Sequence, residues 1–146
     1  MFKTILVPVD LAEPDMAKGA LDTAATLAKA SGGSIRLIYV RTLVPASVMD
    51  FMPAEYDARE QAESEQQIAA LAGTTGLEAG RVTHAVKLGS VYHEVLAEAD
   101  AVKADLIVLS SHRPTMATYL IGSNAATITR HATCSVLVLR GGGTAV

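Results

Sequence analysis

Short aliphatic runs recur along this chain at intervals that leave room for a helix between successive runs, and this alternation restricts the fold more than any other feature. The runs are Thr4 to Val9, Ser34 to Val40, Asp105 to Ser110 and Ser135 to Leu139. Most of their residues are aliphatic or β-branched, as in strands buried on both faces. Arg81 to Lys87 differs, because Val82, His84 and Val86 alternate with polar neighbours in the manner of a half-exposed strand near a sheet edge. Strands and helices alternating at this length imply right-handed crossovers. The expected class is α/β: a single open five-stranded parallel sheet, Rossmann-like, with helices on both faces.

Helix signals fall between the runs. Pro14 suits a first helical turn, where its missing N–H costs nothing, and Asp15 complements the helix dipole there. Ala17, Leu21, Ala24, Ala25 and Ala28 keep the 3.6-residue period, and Gly32-Gly33 supplies a stop. Arg41 to Pro53 reads as a loop whose Val44, Val48, Met49, Phe51 and Met52 should lie against something. Tyr56 to Ala72 reads as a mostly solvated helix with a weak stripe of Ala58, Ala62, Ile68, Ala69 and Leu71. Gly89-Ser90 offers an N-cap to a helix with Val91, Val95, Ala99 and Val102 on one face. Gly122-Ser123 is expected to begin a short helix that ends in the cations Arg130 and His131.

Composition narrows the class. A chain of 146 residues suits one domain, expected over 1–140, with Gly141 to Val146 as a flexible tail. Half the residues are hydrophobic, which excludes disorder. Twelve basic against fifteen acidic side chains, a net charge of −3, leave no footprint for nucleic acid. The apolar runs are far shorter than the roughly 20 residues that span a bilayer, so membrane insertion is not expected. No export signal is read at the start, and the lone Cys134 forms no intramolecular disulfide; the expected location is cytoplasmic.

In an open sheet of this kind, ligands sit outside the carboxyl ends of the strands where strand order reverses. That rule nominates Pro8, Val9 and Asp10 after the first strand, Val40 and Arg41 after the second, and Leu109, Ser110, Ser111, His112 and Arg113 at the end of the fourth. Gly122, Ser123 and Asn124 join them if their helix starts at the same rim. Free amides and the positive end of a helix dipole would then face an anion, while Gly122 permits close approach and Ser123 adds a hydroxyl. The same dipeptide is equally an ordinary helix cap.

Two stretches carry a resemblance. Thr4-Ile5-Leu6-Val7-Pro8-Val9-Asp10 resembles the first strand of the universal stress protein family, with its terminal aspartate. Asp105 to Pro114, Tyr119 to Ala125 and Arg130 to Arg140 resemble the branch that includes the enterobacterial F and G forms. The family's nucleotide signature is a glycine, two residues, a second glycine, nine residues, then glycine with Ser or Thr. This chain departs from it, with Ser110 first, Arg113 second, and only eight residues, Pro114 to Ile121, before Gly122-Ser123.

The resemblance still implies binding of ATP, or of AMP or ADP. In place of the second glycine, Arg113 adds a permanent cation able to make bidentate phosphate contacts. The alternative is a solvated Arg113 with Pro114 stiffening the turn. By the same resemblance the Val40 backbone reads the adenine edge, and Asp10 meets the ribose hydroxyls or a Mg²⁺ shared with the phosphates. His112 would donate to phosphate when protonated. Asp10 has a second reading, as a cap on the turn that follows it.

The family's strand order, 3-2-1-4-5, would place Val136 to Leu139 at a sheet edge. Pairing two copies there would satisfy the edge and give a homodimer, open to higher assembly; a covering loop or tail is the alternative. No protein metal site is expected, since His84, His93 and His131 lack ligand spacing. Cys134 reads as a packed thiol, and Ser110 and Ser111 lack a nucleophile elbow. The expected function is a nucleotide-binding stress-response regulator, not an enzyme beyond slow ATP hydrolysis, acting on a regulatory protein partner unknown from sequence. The competing readings are a nucleotide-free dimer acting through protein contacts, and an adenylate-forming enzyme whose His-x-x-His helix start is absent.

Overall fold

All five strands form, and they pair in parallel in the order β3-β2-β1-β4-β5. They are β1 (Thr4–Pro8), β2 (Ser34–Arg41), β3 (Val82–Leu88), β4 (Leu106–Ser111) and β5 (Ser135–Arg140). The structure, a computed structural model, describes residues 1–111 and 119–140, and for 119–123 the backbone alone. The expected tail from Gly141 to Val146 lies outside the described residues, as do His112 and Arg113.

Central β1 is apolar throughout its middle because both its edges and both its faces are covered. Ile5, Leu6 and Val7 are fully buried. Side-chain alternation divides the core in two. Ile5, Val7, Ile35, Leu37, Leu106 and Val108 pack with α1 (Pro14–Ser31) and with Ile68 of α3 (Tyr56–Ala72). Leu6, Ile38, Val40, Ile107 and Leu109 pack with Val95 and Ala99 of α4 (Val91–Val102) and Ile128 of α5 (Tyr119–His131). The sheet therefore has helices on both faces, as expected.

The chemistry of α1 follows its sequence. Pro14 is its first residue, Asp15 lies in its first turn, and Ala17, Ala20, Leu21, Ala24, Ala25 and Ala28 are buried. Gly32 ends it in the left-handed region, φ +72. Gly33 then passes so close to the start of β1 that a Cβ would sit 2.6 Å from the Phe2 carbonyl oxygen. Arg81 completes this end, its guanidinium donating to the carbonyls of Ala28 at 2.9 Å and Gly33 at 2.8 and 2.9 Å. A cation is thereby placed at the negative end of the α1 dipole.

Four local expectations are corrected. The segment after β2 is not all loop: Ala46–Met49 forms one turn of helix, α2, between Pro45 and Pro53. Of its apolar residues Val44 and Met52 are half-buried, but Val48, Met49 and Phe51 do not lie against the domain, being 40%, 59% and 87% exposed. The buried line of α3 is Ser64 and Ile68, with Leu71 and Ala72 half-buried, whereas Ala58, Ala62 and Ala69 face outward. Alanine is small enough to be tolerated on either face of a helix, so it marked the wrong stripe. Ser90 does precede α4, but its side chain makes no capping hydrogen bond.

Polar ties hold the ends of the central strands. The Asp105 carboxylate accepts the Lys3 N–H at 2.8 Å and the Thr4 N–H at 3.0 Å, while its own N–H donates to the Thr4 carbonyl at 2.9 Å. On the α4 face, buried Glu98 accepts from Arg36 Nε at 2.7 Å, with Lys87 Nζ 3.9 Å away. Hydrogen bonds to a charged group contribute about 1.5–3 kcal/mol each. Asp105→Ala should therefore lower unfolding stability by roughly 2–4 kcal/mol, allowing for partial replacement by water. Asp105→Asn should lose less. Urea midpoints at constant m would show this; an unchanged midpoint in Asp105→Ala would contradict it.

Candidate functional site

The reversal of strand order falls at β1, whose neighbours β2 and β4 lead away to opposite edges. At its carboxyl end Val9 still donates to Ile38 O, at 2.9 Å, and then the chain turns sharply. Asp10 makes that turn. Its Oδ1 accepts the Ala12 N–H at 3.0 Å, and its carbonyl accepts the Glu13 N–H, also at 3.0 Å. The capping role open to Asp10 in the sequence is thus realised, with Oδ2 unengaged among the described residues.

A cleft of about 380 Å³ opens here. This is within the range of small-molecule sites. Pro8, Val9 and Asp10 form one wall with Glu13, Met16 and Ala17. Val40, Leu109, Val95 and Ile128 give an apolar floor, while Tyr39, Thr42, Ser110 and Asn124 add polar groups. Ser110 Oγ donates to the Met16 carbonyl at 3.1 Å, tying the end of β4 to α1. Among the described lining residues the charged side chains are Asp10 and Glu13.

Of the residues nominated from sequence, Pro8, Val9, Asp10, Val40, Leu109, Ser110 and Asn124 come together in this cleft. Ser111, on the opposite face of β4 from Ser110, is not in its described lining. Arg41 is turned to another task, binding Gln61 and Asp57 of α3. His112 and Arg113 lie outside the described residues. Gly122 and Ser123 do not begin their helix: α5 starts at Tyr119, which puts them past its first three positions. Leu120 and Ile121 sustain a helix, and Gly within one costs only about 1 kcal/mol against Ala. The free amides of the helix start thus fall nearer Tyr119 than Gly122.

The strand-end rule missed the helical part of the lining. Glu13, Met16 and Ala17 come from the first turn of α1 and its approach, Val91 and Val95 from α4, and Ala125 and Ile128 from α5. Val91 and Val95 were visible only as an apolar helix face, a pattern that does not separate core from cleft floor.

Two groups have displaced acidities. Burial raises the Tyr39 hydroxyl above its ordinary 10.0, with the negative charges of Asp10 and Glu60 adding and Arg41 opposing. It remains a neutral donor at physiological pH. Burial likewise raises the Cys134 thiol above its ordinary 9.0; its own backbone hydrogen bond opposes, and Asp105 and Asp100 add to the rise. A thiol so placed is a poor nucleophile near neutrality.

Fold and cleft define a small-molecule-sized cleft at the switch point of an open α/β sheet. A family model described as Universal stress protein family matches residues 1–140, and the chain belongs to that family. Universal stress protein G of Salmonella typhimurium strain LT2 is 33% identical over 146 residues, covering 96% of this chain and all of that relative. The fold is shared with a universal stress protein solved in complex with cAMP, at TM-score 0.61 and 24% identity over 94% of this chain and 96% of that one. It is shared too with the Archaeoglobus fulgidus universal stress protein in complex with dAMP, at TM-score 0.66 and 19% identity over 94% and 97%.

The raised thiol has a pH consequence. Because the folded value lies above the unfolded one, its stabilising contribution is complete below about pH 9 and is lost as pH climbs through the folded value. Melting temperatures from pH 7 to 10.5 should fall more steeply for the native chain than for Cys134→Ala. Parallel curves would contradict this placement of the thiol.

Proposed function

We propose that the cleft binds an adenine nucleotide, ATP in the first instance and AMP or ADP with it, and that the protein is a cytoplasmic stress-response regulator rather than an enzyme. The observation that carries this reading is the joining of an apolar floor to a carboxylate oxygen that no described residue engages, at the strand-order reversal. The floor at Val40 and Leu109 suits a purine ring, with Val40 backbone groups at its edge. Asp10 Oδ2 suits a ribose hydroxyl or a Mg²⁺ bridging to phosphate. The cAMP- and dAMP-bound relatives share the adenine nucleotide class.

Phosphates bring negative charge to a described lining whose ionised groups are carboxylates, so the opposing charge must come from elsewhere. Arg113 and His112 supply it in this reading, together with the free amides at the start of α5 near Tyr119. Regulation then works by occupancy, which alters the surface offered to a protein partner. Two copies pair through β5, whose Val136 to Leu139 are half-buried at the open edge of the sheet.

Isothermal titration of the full chain with ATP, ADP and AMP is the test. Asp10→Asn keeps an oxygen for the Ala12 amide while removing the charge. It should weaken ATP–Mg²⁺ binding about tenfold, or roughly 1.4 kcal/mol, with the melting temperature unchanged. Arg113→Ala should weaken ATP more than AMP. Heat from none of the three nucleotides would overturn the reading in favour of a dimer acting through protein contacts alone.

A further inference from the structure

The segment between β2 and α3 is a closed strap. Arg41, at the end of β2, holds Asp57 Oδ1 at 2.7 Å and Gln61 Oε1 at 3.0 Å, so the chain that leaves the sheet at residue 42 is brought back to the same guanidinium. Pro45 and Pro53 stiffen the excursion around the single turn of α2. On this strap Leu43, Val48, Met49 and Phe51 are exposed, Phe51 at 87%. Lone exposed apolar side chains need no explanation, but four large ones on a short braced segment mark an interaction surface. Phe and Met are the side chains such surfaces favour as anchors.

Charge identifies the occupant. From Arg41 to Glu65 there are six acidic side chains and two basic, a net charge of −4 in a chain whose total is −3. Asp50, Glu55, Glu63 and Glu65 are exposed. A second copy docked face to face would set acid against acid, and an anionic lipid surface or a nucleic acid would be repelled. A cationic partner is attracted by the same field.

We infer that the strap docks a protein segment carrying apolar anchors among lysines and arginines. The apolar side chains would enter the partner's contact, while the exposed carboxylates of Asp50 and Glu55 on the strap engage its cations at the rim. Thr42 at the strap's root lines the cleft, but the anchors Leu43, Val48, Met49 and Phe51 are not in its lining, so the inference stands or falls separately from nucleotide binding.

Selection of a random peptide phage library on the full-length chain, with counter-selection on Met49→Ser/Phe51→Ser, tests this. Recovered peptides should be rich in Lys and Arg with aliphatic or aromatic anchors. Their affinity should fall at least tenfold in Met49→Ser/Phe51→Ser and severalfold in Asp50→Asn/Glu55→Gln, and should weaken as salt rises. Circular dichroism melting of these exposed-site variants should match the native chain. No enrichment over the counter-selected variant, or enrichment of neutral or acidic peptides, would overturn the inference. So would a dimer lost on Phe51→Ser in sedimentation, or Phe51-dependent binding to phosphatidylcholine–phosphatidylglycerol vesicles.

Discussion

Everything in this domain is arranged around β1 and its parallel pairing with β2 on one side and β4 on the other. Because the chain proceeds from this strand toward both edges of the sheet, the connections at its carboxyl end diverge and leave a crevice between them. The Asp105 carboxylate, accepting two backbone amides at the opposite end of β1, fixes how far β4 is advanced along it. Register at one end of the strand thus sets where Asp10 and Ser110 emerge at the other. Ser110, bonded to the Met16 carbonyl, then holds α1 against β4 beside the crevice.

The layered fold was legible because its signals are mutually reinforcing. A strand buried on both faces must be apolar at successive positions, and Thr4 to Val9 could be little else; Pro14 and Gly32 bracket α1 by backbone chemistry independent of tertiary context. The errors arose where one residue type serves two environments. Alanines on α3 suggested a stripe that packing did not use, since Ile68 alone among the expected positions is buried. Apolar residues from Val44 to Met52 implied coverage, whereas a proline-bounded turn displays several of them.

The site was legible in part for a related reason. The switch-point rule locates strand ends, so Asp10, Val40 and Ser110 could be chosen from sequence, and the family resemblance pointed to the same residues. Glu13, Met16 and Val91 could not be chosen that way, because they reach the cleft through the angle at which helices cross the sheet. Asp10 has a structural role, one carboxylate oxygen closing the turn after β1, while the other is unengaged among the described residues. Cleft and strap also divide the polar surface between them, the former apolar in its floor, the latter acidic around exposed hydrophobic anchors.

The central claim is that an adenine nucleotide occupies the crevice beside β1, and amide chemical shifts of the ¹⁵N-labelled chain titrated with AMP report on it residue by residue. The account predicts saturable shifts concentrated at Val9, Asp10, Val40, Leu109 and Ser110. Saturable shifts confined to residues remote from the crevice, or an unchanged spectrum at millimolar AMP, would contradict it.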